Sequence, residues 1–379
     1  MGNFNCQHPS ITVHMLSLLI LLLLNSHVAL CSCYKRIFSF GDSIIDTGNY
    51  VHLVSNSSFK YMELPYGMTF FKHATGRMSD GRVLVDFYAQ SLQLPLIPPN
   101  LPENTSGQFP HGANFAVLDA TALPPSFYEG LNHSVSTPWC LGMQYGWFEE
   151  MLKRIAPGDG ARRRLLAESL IVFGEIGSSD YVSWFNAGGS REKAKEFMPM
   201  IGYISFLLNI LDLDCTQWVI YLSAKVVMIP NNFPIGCLPS FLSRFHSHEP
   251  KDYDEHGCLR WFNDFTLAHN LGLFEEVNWL QLQYPDVKLI YADYYNATME
   301  LLKNPDRFGF GDPLVACCGG DGPYHTSMDC NKKAKVWGDP DRFVSWDGIR
   351  MTEKAYNIIV KGVLKGPFAN PPLLRSCSN

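Results

Sequence analysis

Four short apolar runs, each ending in glycine, aspartate or asparagine, constrain this chain more than any other feature. Arg36 to Phe40 leads into Gly41-Asp42-Ser43, and Ser169 to Phe173 leads into Gly174-Glu175-Ile176-Gly177. Lys225 to Ile229 leads into Pro230-Asn231, and Val287 to Tyr291 into Ala292-Asp293. An apolar run bounded by turn residues is the pattern of a buried strand whose C-terminal end opens into a loop. Helical patterns separate the runs, at Val83 to Leu92, Phe197 to Leu213 and Trp261 to Leu282. Thr352 is placed to cap a last helix through Tyr356 to Val363, with Glu353 in its favourable first turn. Strands alternating with helices call for an α/β fold, a parallel sheet covered on both faces by right-handed crossovers. Ligands of such sheets bind beyond the carboxyl ends of the strands, which is where Ser43, Gly177 to Asp180 and Asn231 fall.

The ends of the chain and its cysteines point to export. An apolar run from Met15 to Leu24 is shorter than the roughly 20 residues that span a bilayer. Ala29 and Cys31 are small residues at the −3 and −1 positions of a cut after Cys31, so residues 1–31 read as a signal peptide. A signal anchor is the alternative, because residues 1–14 carry no Lys or Arg. Sequons stand at Asn56, Asn104, Asn132 and Asn296. Of eleven cysteines, nine follow the leader, so at least one stays free or pairs between chains. Cys237 with Cys258, and Cys317 or Cys318 with Cys330, are the expected disulfides. The Pro-rich stretch from Leu94 to Pro110 reads as a surface excursion too short to link domains, and no repeat is visible, so residues 32–379 are expected to form one domain. The expected location is extracellular or in the endomembrane lumen, with no transmembrane segment in the mature protein.

Charge and motif exclude several chemistries. A net charge of −6 leaves no basic excess to neutralise phosphates, so no nucleic-acid partner is expected. The basic run Arg162-Arg163-Arg164 reads as a solvated helix face. There is no phosphate loop, dinucleotide turn, His-Glu-x-x-His or Gly-x-Ser-x-Gly elbow. His246 and His248 lie in a polar loop, no Cys-x-x-Cys pair occurs, and neither a metal nor a cofactor is expected. What remains is Phe38-Ser-Phe-Gly-Asp-Ser43-Ile-Ile-Asp-Thr-Gly-Asn49, a serine just past a buried strand and ahead of a helical segment. By itself Gly-Asp-Ser reads as a helix cap.

Further blocks follow in order: Ala74-Thr-Gly-Arg-Met-Ser-Asp-Gly-Arg82, Gly112-Ala-Asn-Phe-Ala-Val117, Gly174-Glu-Ile-Gly177, Phe233-Pro-Ile-Gly-Cys237, Tyr291-Ala-Asp-Tyr-Tyr-Asn296, Ala316-Cys-Cys-Gly-Gly320 and Trp346-Asp-Gly348. With these the chain, from Arg36 nearly to its C-terminus, resembles the plant GDSL esterase/lipases, a branch of the SGNH hydrolases. The resemblance implies a flavodoxin-like three-layer α/β/α fold and hydrolysis of carboxylic esters, with a small-molecule or lipid ester as substrate or ligand. It implies Ser43 as nucleophile and Asp347 as the residue that orients the catalytic base. A hydroxyl becomes a useful nucleophile only beside a base, and the tetrahedral oxyanion needs preorganised donors.

Three positions depart from the pattern of the resemblance. Asp119 stands where the oxyanion glycine is expected, Ser179 where the oxyanion asparagine is, and Arg350 where the histidine base is. Ser179 still donates one hydrogen bond from a shorter arm. Asp119 keeps its backbone N–H but brings a carboxylate toward developing negative charge. Arg350 is the severest change, since a guanidinium stays protonated and cannot act as a base. Two readings follow: an ester hydrolase or acyltransferase of low or altered activity, or a catalytically inert paralogue binding a ligand or protein through the old cleft. The first needs a substitute base such as His73, His111 or His325; the second fits Arg350 pairing with Asp347 or Asp119 and filling the histidine space.

Overall fold

A computed structural model describes residues 34–54, 60–100, 109–135, 137–204 and 223–377. The four predicted strands all form. β1 (Arg36–Phe40) and β3 (Ser169–Phe173) have the expected bounds, while β4 (Val226–Pro230) and β5 (Lys288–Ala292) lie one residue later than expected. Two edge strands lack a sequence signal of their own: β2 (Gly112–Asn114) and the two-residue β8 (Ala369–Asn370). The sheet order is β2-β1-β3-β4-β5-β8, parallel throughout except for the antiparallel β8. A separate two-stranded piece joins β6 (Cys318–Gly319) to β7 (Lys335–Val336).

Both faces of the sheet are covered, as its uninterrupted apolar strands require. Phe38, Phe40, Ile171, Phe173, Val227, Ile229 and Leu289 share one face and pack into a single core with Phe148, Phe197, Phe262 and Leu280. Their neighbours along the strands, Ile37, Leu170, Val172, Met228 and Ile290, point the other way and are equally buried. The chain is therefore α/β with a mainly parallel six-stranded sheet, consistent with the SGNH-hydrolase architecture.

The predicted helices appear as Leu84–Ser91, Arg191–Ile204, Arg260–Gln283 and Glu353–Lys365. The second begins earlier than its apolar pattern, and residues 205–213 of that pattern lie outside the described residues. Thr352 caps the last helix, its Oγ1 accepting from the Ala355 N–H at 3.3 Å. Asp80 Oδ1 accepts from the Glu353 N–H at 2.8 Å, and Arg82 pairs with Glu353, so the start of this helix is fixed to the Ser79–Arg82 loop. That anchorage sets the position of Arg350, just upstream. The Arg162–Arg164 run lies within the Asp159–Ala167 helix, with Arg163 and Arg164 exposed as expected. In the Leu94–Pro110 stretch, by contrast, Leu94, Ile97 and Phe109 are buried, so its flanks belong to the core rather than to a surface excursion.

Disulfides join Cys237 to Cys258 and Cys318 to Cys330, which settles the second pairing on Cys318. Cys317, its neighbour, is free and buried. Among the described residues no helix is long and apolar enough to cross a membrane.

Candidate active site

The C-terminal ends of β1 and β3 deliver Ser43 and Ser179 to one crevice, and the loop after β2 delivers Asp119. The Ser43 loop is held by side chains that satisfy its backbone. Buried Asp46 accepts from the N–H groups of Gly48 and Asn49, each at 2.7 Å, and of Leu118 at 3.0 Å. One carboxylate thus ties the serine loop to the residue preceding Asp119. Asn49 Nδ2 donates to the carbonyls of Asn114 and Ala116, each at 2.9 Å, joining the same two segments. Gln144, fully buried, grips Gly41 at both ends, accepting from its N–H at 2.9 Å and donating to its carbonyl at 2.8 Å. Gly41 itself adopts φ +144°, and a Cβ there would come within 2.8 Å of the Glu175 carbonyl oxygen. The close approach of the loops that follow β1 and β3 leaves no room for a side chain.

Arg350 occupies the centre of the site. It is only 4% exposed. Its Nε donates to Ser43 Oγ at 3.1 Å, its Nη2 pairs with Asp119 Oδ1 at 2.9 Å, and its Nη1 pairs with Asp347 Oδ2 at 3.3 Å. Asp347 in turn accepts from the Arg350 N–H at 2.8 Å and from the Tyr66 hydroxyl at 2.9 Å. Burial opposes the guanidinium charge, but Tyr61, Asp347 and Asp119 around it hold the proton more firmly than usual. The group that reaches Ser43 Oγ is a permanent donor.

Ser179 stands in the first turn of the Ser178–Asn186 helix and donates to Asp42 Oδ2 at 2.6 Å. Asp42 is buried, and desolvation pushes its carboxyl up to about 6 despite the hydroxyl of Ser179 and the N–H of Ile44. Burial and the neighbouring Asp42 raise Glu175 well above the usual carboxyl range. Asp119 lies at φ +55°, the left-handed region that glycine enters freely and aspartate tolerates at some cost. The N–H groups of Ser43 and Asp119 donate to none of the described residues.

Five positions singled out from sequence therefore converge. Arg350 touches Ser43, Asp119 and Asp347 directly, and Ser179 joins them through Asp42, the residue before Ser43. The three histidines do not. His325 Nδ1 donates to the Ala316 carbonyl, 3.0 Å away, and the ring stacks on Trp337; His73 is exposed; and His111 lies at the opposite end of β1, its carbonyl bonded to the Ile37 N–H at 3.0 Å. Gln144, Tyr61, Tyr66 and the Asp42–Ser179 bond had no signal in the sequence, since each depends on long-range contact between types of residue that are common anywhere.

Two cavities meet at this centre. One is narrow, with walls of Ile44, Val182, Phe233, Ile235, Leu238 and Met351, and a polar end at Asp42, Ser43, Asp119 and Ser179. The other, roomier, at about 420 Å³, is lined by Lys60, Tyr61, Ser134, Ser183 and Asn186 together with Arg350. Asp119, Ser179, Val182 and Ile349 border both.

This arrangement agrees with what the chain is similar to. The family model of GDSL-like lipases/acylhydrolases matches residues 37–363. A GDSL esterase/lipase of Arabidopsis thaliana is 40% identical over 354 residues, covering 92% of this chain and 89% of the relative. Another from the same plant is 38% identical over 353 residues, covering 92% and 88%. Sinapine esterase of Brassica napus is 39% identical over 359 residues, covering 92% and 89%. With its sheet order, its serine loop and these relatives in hand, the chain belongs to the GDSL-like lipase/acylhydrolase family.

Proposed function

We propose that this protein is an exported member of the family that still receives an ester in its cleft but in which Ser43 has lost its base. The observation that carries the reading is the Arg350 Nε–Ser43 Oγ contact at 3.1 Å. A serine hydroxyl must give its proton to an acceptor as it attacks, and a guanidinium has no acceptor atom. Removing only the histidine of another serine hydrolase lowers turnover on the order of 10⁶-fold. Ser43-dependent hydrolysis is accordingly a residual activity here. The apolar cavity suits an acyl chain or ring, and the polar one suits the alcohol part. The amides of Ser43 and Asp119 suit the carbonyl oxygen.

Export after removal of residues 1–31, leaving residues 32–379 as one domain, belongs to the same reading. Two disulfides favour an oxidising compartment. The Asn132 and Asn296 side chains are exposed as glycan acceptors need, whereas Asn56 and Asn104 lie outside the described residues.

The test compares the secreted, purified protein with its Ser43→Ala variant on p-nitrophenyl esters of graded length and on sinapine. The expected result is less than about a tenfold difference in kcat/KM between the two, with saturable binding of a non-hydrolysable amide analogue to both. Ser43-dependent turnover near the enzyme median of about 10 s⁻¹ would overturn the reading.

A further inference from the structure

Resting on the reading that Ser43 has lost its base, we infer that Ser179 and Asp42 form a replacement nucleophile–base pair for acyl transfer in the same cleft. Of the two serines at this site, Ser179 is the one whose hydroxyl donates to a carboxylate, at 2.6 Å, whereas Ser43 Oγ faces the Arg350 guanidinium. It borders both cavities, where an ester would lie. Its place in the first turn of a nine-residue helix favours negative charge developing on its oxygen. Asp42 is 3% exposed, and its carboxyl, held near 6, is a stronger base than an ordinary aspartate while still ionised at neutral pH.

The step balances with these groups alone. As the Ser179 Oγ–carbon bond forms, its proton passes to Asp42 Oδ2 and the carbonyl π pair moves onto oxygen, next to the amides of Ser43 and Asp119. Collapse breaks the carbon–oxygen bond to the alcohol, which leaves with the proton from Asp42. Water then gives a proton to the same carboxylate as it attacks the acyl-Ser179 carbon. The acid departs, and Ser179 recovers the proton.

A fluorophosphonate probe tests this without relying on any variant. It forms a phosphorus–oxygen bond to an activated serine and expels fluoride. The protein is incubated with the probe and digested, and the adduct is mapped by mass spectrometry. p-Nitrophenyl butyrate turnover is measured in parallel for wild type and for Ser179→Ala, whose fold is checked by its melting temperature. The expected result is an adduct on Ser179 and at least about a tenfold fall in turnover in the variant. An adduct on Ser43 overturns both this inference and the reading beneath it. No adduct and no turnover in the wild type overturns the inference alone, as does labelling of Ser179 with turnover unchanged in the variant.

Discussion

Two halves of the candidate site, built from adjacent loops, have fared differently. The half that positions Ser43 is intact: Asp46, Asn49 and Gln144 satisfy the serine loop and tie it to the segment bearing Asp119. The half beside the Ser43 hydroxyl is organised around a guanidinium, with Asp119 and Asp347 serving its charge. Loop shape and proton transfer are thus separable properties of this fold. The first depends on buried backbone hydrogen bonds, whose loss threatens folding; the second depends on a few side chains facing a cavity, whose exchange leaves the frame standing.

The sharpest way to break the comparison is to restore the proton-moving half. The triple variant Arg350→His, Asp119→Gly, Ser179→Asn should raise Ser43-dependent kcat/KM on p-nitrophenyl butyrate by about 10³-fold or more, within the usual range for a positioned base. If the rate stays flat, the retained half is not competent and the contrast fails. Next in size, Arg350→Ala leaves Asp347 buried without its cation, and urea unfolding should show a loss of about 3 kcal/mol. A loss under about 0.5 kcal/mol would mean the guanidinium contributes nothing to the fold.

Gln144→Leu attacks the other half. It strands the N–H of Gly41 in the core, while the Gly41 carbonyl keeps the Val117 N–H at 3.2 Å, with an expected cost of about 2 kcal/mol by the same measurement. The smallest effect concerns pH. Burial pushes Asp42, Asp46 and Asp80 up to about 6 and Asp180 to about 7. Between pH 4 and 7 the folded state holds protons that the unfolded chain has released, so these groups make stability fall as pH rises. His269, which burial drops to about 4, acts in the opposite sense between pH 4 and 6.5 but is a single group against four. Unfolding at pH 5 should therefore need more free energy than at pH 7.5, by about 1 kcal/mol or more. A midpoint that rises with pH over this window would contradict the burial of these acids.

Much of this was legible beforehand. The strands β1, β3, β4 and β5 announced themselves because a buried parallel strand is apolar at every position, and local composition alone marks it. Ser43, Asp119, Ser179, Asp347 and Arg350 were placed by family pattern, which numbers positions along the chain. β2 and β8 escaped because strands of three and two residues carry too little composition to stand out. The Asp42–Ser179 bond escaped for a different reason: 137 positions separate the partners, and neither type of residue advertises the other. Cys317 and Cys318 could not be told apart from sequence, being neighbours on the chain. Pairing depends on which side chain faces Cys330 in the fold.

The backbone of Asp119 carries a consequence of another kind. At φ +55° it keeps a conformation that suits a residue with no side chain. The loop therefore holds a glycine-like backbone beneath an aspartate side chain. A glycine there would relax the backbone, and it would also take from Arg350 the carboxylate it pairs with at 2.9 Å, leaving Asp347 to answer the guanidinium charge alone.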